Sequence, residues 1–112
     1  MTAYQYRPRG MPARFMEGAP DVVKRNVLDV FKIVFKIVPA APLDFDVMFK
    51  PEPNPDELTG LDFGHDGARG CHFFLKPHEA RAYRERNRRK RVAWRDLPEA
   101  TQRAIVAYCE ED

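Results

Sequence analysis

The stretch from Pro20 to Val38 most constrains how this chain can fold, because its apolar residues need cover on nearly every side. At about 100° per residue, Asp21, Arg25, Asp29, Lys32 and Lys36 gather into one narrow polar stripe. Val23, Val27, Val30, Phe31, Val34, Phe35, Ile37 and Val38 fill the remainder. Pro20 suits the first turn of a helix, where its missing N–H has no intrahelical partner to lose. The spacing therefore predicts a helix over 20–37, with an apolar arc wide enough to pack on a sheet and also pair with a second copy. The rival is a strand, since Phe31, Ile33, Phe35 and Ile37 alternate and the run is β-branched. Pro39 and Pro42 end the element in either case.

Residues 1–19 hold Pro8, Gly10, Pro12 and Gly18 among scattered aromatics and read as an irregular N-terminal arm, tethered to the core by Phe15 and Met16. Beyond Pro42, Leu43–Lys50 begins with apolar–polar alternation and reads as a strand. Pro51, Pro53 and Pro55 stiffen an acidic loop. Leu61–His65 and Ala68–Leu75 flank Asp66-Gly67, a pair suited to a two-residue hairpin turn. Pro77 opens a further helix, and Asp96-Leu97-Pro98-Glu99 has the form of a capping box for a last one. Glu99 and Arg103 stand at i,i+4, while Glu110, Glu111 and Asp112 oppose the helix dipole and are expected to fray. The expected fold class is α+β: an N-terminal helix, a three-stranded antiparallel sheet and two C-terminal helices, forming a single domain over residues 20–112.

At 112 residues with 44% hydrophobic content the chain can build a core without metals or disulfides. Its net charge of +2 conceals a separation. Residues 44–66 are acidic (Asp44, Asp46, Glu52, Asp56, Glu57, Asp62, Asp66), whereas residues 76–95 are basic. Within the basic segment Arg81, Arg84, Arg88, Arg91 and Arg95 are spaced 3, 4, 3, 4. On one unbroken helix from Pro77 to Arg95 they form a guanidinium ridge ~20 Å long, with Arg86, Arg89 and Lys90 beside it. Arginine suits bidentate contact with phosphates or carboxylates. The plainer alternative is a solvated face, or arginines that neutralise the protein's own acids.

Metal and catalytic patterns are weak. His65, Cys71, His72 and His78 lie close in sequence, but Cys71 and His72 point to opposite faces of a strand and no C-x-x-C or H-x-x-x-H is present. Phosphate-binding glycine loops and nucleophile elbows are absent from the sequence. The expectation is a non-enzymatic module with no cofactor or metal. Its partner would be nucleic acid (DNA or RNA) or an acidic protein surface, met through Arg81, Arg84, Arg88, Arg91 and Arg95, with Arg86, Arg89 and Lys90 supplementary. The alternative is a small protein-binding regulator or inhibitor of mobile-element (phage-like) type, and homodimerisation through helix 20–37 is compatible with both. Two cysteines, and no apolar stretch following Arg7, Arg9 and Arg14, fit a cytoplasmic protein. No segment is long and apolar enough for a membrane partner.

Overall fold

The computed structural model describes residues 13–33, 43–50 and 57–111, and its architecture is α+β. A 3-10 turn, Ala13–Met16, precedes helix α1 (Asp21–Asn26), which leads directly into strand β1 (Val27–Lys32). Strands β2 (Leu43–Phe49), β3 (Leu58–Gly64) and β4 (Arg69–Leu75) follow. Helix α2 (Pro77–Asn87), two 3-10 turns (Arg88–Lys90 and Trp94–Asp96) and helix α3 (Glu99–Glu110) complete the order. The four strands form an antiparallel sheet in the order β1-β2-β3-β4.

The expected helix over 20–37 is corrected: it lasts six residues and becomes the fourth strand, which the three-strand expectation lacked. Residues 34–37 lie outside the described residues. Asn26 Nδ2 donates to the carbonyl of Val22 at 2.6 Å and closes the helix, and Val27 is already extended. The broad apolar content arises because both faces of β1 are covered. A strand buried on two sides reads as a near-continuous apolar run and so resembles a buried helix. Val27 and Val30 face one core with Val47, Leu61, Phe63, Trp94 and Ile105. Leu28 and Phe31 face a second with Met48, Leu58 and Ala80 of α2. The wide helical arc through which a homodimer could form is therefore absent from the described part of this segment.

Helices α1 and α3 lie on the first face of the sheet and α2 on the second. Burying each large apolar side chain contributes about 1.5–3 kcal/mol, so Phe31, Phe63, Leu58, Leu61, Met48 and Ile105 dominate the driving force. Met16 is buried and Phe15 packs against the same core, which fixes the end of the arm. Thr101 Oγ1 donates to the carbonyl of Gly64 at 2.6 Å and ties α3 to the β3–β4 hairpin. Arg69 grips Glu111 with both terminal guanidinium nitrogens, holding the residue after α3 where fraying was expected. The Glu99–Arg103 pair is present.

Two turn expectations change in detail. Only glycines, Gly18 and Gly67, have positive φ among the described residues. A two-residue hairpin with both central residues left-handed is thereby ruled out at Asp66-Gly67. The loop instead comprises His65, Asp66 and Gly67, with Gly64 donating to the carbonyl of Ala68 at 2.8 Å and Asp66 Oδ1 accepting from the amide of Ala68 at 3.0 Å. Likewise α3 starts at Glu99 with Pro98 at the N-cap and no side-chain cap, so the Asp96 capping box is not formed. Pro98 forces Leu97 into the extended region (φ −77°, ψ 143°), where Leu97 cannot be a first helical residue after Asp96.

One glycine is required by packing. A Cβ on Gly60 would sit 2.0 Å from the Phe73 ring, its cross-strand neighbour. Gly60→Ala is expected to displace Phe73 from beneath α2 and lower stability by about 1–3 kcal/mol in urea unfolding, despite alanine's better strand entropy.

Candidate polyanion-binding surface

Helix α2 lies over the second sheet face because Ala80, Tyr83 and Arg84 recur at i, i+3 and i+4. Ala80 and Arg84 are buried and Tyr83 is half-buried. Pro77 supplies the first turn, and Glu79 Oε1 accepts from the Lys76 amide at 2.9 Å. Asn87 ends the helix, donating from Nδ2 to the carbonyl of Tyr83 at 2.8 Å.

The expected rod from Pro77 to Arg95 is therefore corrected, because it breaks before Arg91. After the 3-10 turn Arg88–Lys90 the chain runs extended along the outer edge of β1. Arg91 bridges Phe31, and the Val92 amide donates to the carbonyl of Val30 at 2.9 Å. The physical reason is the edge of β1, whose outward backbone groups need partners; an extended segment supplies them and a continuing helix does not. Ending the helix also relieves the like-charge repulsion of five arginines at i,i+3 and i,i+4.

Two arginines of the expected ridge turn inward. Asp29 on β1 has no solvent-exposed side-chain surface. Its Oδ2 accepts from Arg84 Nε at 3.0 Å, its Oδ1 from Arg91 Nε at 2.7 Å, and Arg91 NH2 reaches Oδ2 at 3.3 Å. Burial pushes the Asp29 pKa upward against the pull of Arg91 and Arg84, so the guanidiniums are what keep a charge tenable there. Arg91 also lies 5.9 Å from the ring centres of both Phe15 and Phe31. Arg84, whose side chain is 10% exposed, and Arg91, at 24%, thus clamp β1 and are poorly placed for an external anion.

The other arginines of the segment stay outside. Arg81, Arg86, Arg88, Arg89 and Arg95 are exposed, and none forms an ion pair among the described residues. At about 100° per residue, Arg81 and Arg86 flank the outward arc of α2 with Glu85 between them. Arg88 and Arg89 extend the surface past the helix end, and Lys90 is half-buried. Arg86 stands over the Tyr83 ring at 5.9 Å.

Other residues considered for chemistry are dispersed. Among the described residues no three of His, Cys, Asp and Glu converge on a point that could hold a metal. His65 pairs through Nδ1 with Asp44 Oδ2 at 2.6 Å, not with neighbouring Asp66. His72 meets the Tyr108 hydroxyl at 3.3 Å on the α3 side of the sheet. Cys71 is exposed, while burial and then the charge of Glu110 push the Cys109 thiol up to about 11 and keep it protonated. Cys109 and Lys50 share the lining of a 310 Å³ cavity with Asn26, Phe49, Thr59, Tyr108 and Glu111. Among the aromatics of the sheet, Phe45, Phe49 and Phe63 are core, Phe73 packs near Tyr83, and Phe74 is exposed. No helix among the described residues is long and apolar enough to cross a membrane.

Comparison of the chain with protein-family models, with curated proteins and with solved structures finds no match.

The division of the arginines predicts unequal costs of removal. Arg84→Met leaves the buried Asp29 short of a counter-ion and should lower the unfolding free energy by about 3 kcal/mol. Arg88→Ala should change it by less than about 0.5 kcal/mol. Urea denaturation of both variants beside the parent measures the contrast.

Proposed function

We propose that this protein is a small non-enzymatic module that binds a polyanion, most simply DNA or RNA, through the exposed arginines of α2 and of the two 3-10 turns that follow it. The contact set is Arg81, Arg86, Arg88, Arg89 and Arg95, with Lys90 at its margin. Arg84 and Arg91, included on sequence spacing, serve the fold instead.

What supports this reading is that five exposed arginines cluster within fifteen residues of chain and none is neutralised by a carboxylate among the described residues. Exposed arginines of this kind attract polyanions by charge and by bidentate guanidinium–phosphate contact, without any need for base-specific readout. Glu85, placed between Arg81 and Arg86, keeps the potential of the face moderate. That favours a salt-sensitive and sequence-tolerant contact.

If four or five phosphates are engaged, the logarithm of the binding constant should fall against log salt with a slope of about −4 on duplex DNA. Replacing Arg81, Arg88 and Arg89 together by Gln should flatten that slope by about 3 while leaving urea stability unchanged. Fluorescence anisotropy with generic duplex and single strands at several salt concentrations reads both quantities. Absence of binding at low salt, or a slope untouched by the triple variant, removes the proposal. A stoichiometric protein partner that survives nuclease treatment would put a protein-directed inhibitor in its place.

A further inference from the structure

The sheet face beneath α2 holds an unusual pair. Asp46 of β2 and Asp62 of β3 stand directly opposite each other across the antiparallel ladder. Both are half-buried, and directly opposed residues of an antiparallel pair carry their side chains on one face, about 5 Å apart at Cβ. Two carboxyl groups so placed repel one another when both are ionised and can hydrogen-bond when one of them carries a proton. The Tyr83 hydroxyl of α2 donates to Asp46 Oδ2 from above. No lysine or arginine ion-pairs with either carboxyl among the described residues.

The charged and titratable groups around the pair have other engagements. From β1, Phe31 lies opposite Asp46 and Asp29 is held by Arg84 and Arg91. From β2, Asp44 is bound to His65. From α2, Arg86 stands over the Tyr83 ring rather than on a carboxylate. On β4, Cys71 is exposed, and Phe73 faces Gly60 across the ladder. A proton is the counter-charge that this arrangement supplies.

We propose that Asp46 and Asp62 share one proton in the native protein and that this proton forms a pH-sensitive latch between the sheet and helix α2, with Tyr83 as its catch. Like charges directly opposed across a sheet are destabilising, and the partly buried site magnifies the repulsion. Holding one proton between the two carboxyls removes it and keeps Asp46 Oδ2 available as the acceptor for the Tyr83 hydroxyl. Burial, then the hydrogen bond and charge of Asp46, push Asp62 up to about 8. Burial first, and then the bond to Asp46, raise the Tyr83 pKa as well, so the phenol remains a donor throughout.

The direction of the pH effect follows from proton counts. Lifting α2 returns Asp62 to water and lowers its pKa from about 8, so below that value the closed state holds a proton that the opened state loses more readily. Opening of α2 therefore becomes easier as pH rises toward that value and levels off above it. The latch operates whether or not the exposed arginines meet a polyanion.

Side-chain carboxyl NMR on the full chain tests the shared proton without any variant. Asp62 should titrate near pH 8, about four units above an exposed aspartate. Amide protection factors over Ala80–Asn87, corrected for intrinsic exchange, should fall between pH 5 and 8 by at most about tenfold per unit, the ceiling for one linked proton, and then level off. Asp62→Asn keeps the shape and a hydrogen-bond donor but cannot ionise, so its α2 protection should be flat across the same range. Titration of Asp62 near pH 4, or an Asp62→Asn profile that follows the parent's, would overturn the latch.

Discussion

The buried carboxylate of Asp29 is the constraint around which the rest of the molecule is arranged. A carboxylate fully removed from water is untenable alone, at several kcal/mol of lost solvation, and it becomes acceptable only with its oxygens occupied by cationic donors. Arg84 and Arg91 supply those donors from two different segments. Satisfying one side chain of β1 thereby fixes where α2 sits, where it ends, and how the chain after it returns to the sheet edge. The extended pairing of Arg91 and Val92 with β1 also closes an edge that would otherwise offer unpaired backbone groups to another chain.

This arrangement sorts the basic segment into two chemically distinct sets. Arginines that meet Asp29 are desolvated, aromatic-flanked and structural. Those pointing away from it keep hydrated guanidiniums with no carboxylate partner among the described residues. Fold and proposed function are thus linked through the same segment: by taking up two cations, the core determines which of their neighbours form the outer surface. At the carboxyl pair Asp46–Asp62 the proposed latch takes the opposite solution to the same problem, with like charges reconciled by a proton instead of a guanidinium.

Much of the architecture was legible in the sequence, and the failures have identifiable causes. Alternation marked β2, Asp66-Gly67 marked the hairpin, and Pro77 marked the start of α2, since each is a local signal. Residues 27–32 read as part of a helix because β1 is covered on both faces, and its apolar surplus mimics a buried helix. Helical spacing places Asp29 on a narrow polar stripe, whereas its counter-ions lie 55 and 62 residues away, where no local pattern reveals them. The 3, 4, 3, 4 arginine spacing was real helical periodicity only as far as Asn87. Beyond it the spacing is incidental, because tertiary pairing with β1 overrides local helix propensity. The opposed aspartates were invisible for a similar reason: their adjacency depends on strand register, which the sequence did not specify.

The account stands on the claim that Asp29 and Arg91 act as one desolvated unit. A double-mutant cycle with Asp29→Asn and Arg91→Gln, read by urea unfolding, tests it most directly. The account predicts strong non-additivity, with a coupling of about 2 kcal/mol or more between the two sites. Losses that simply add, as they would for an exposed pair of charges, would contradict it.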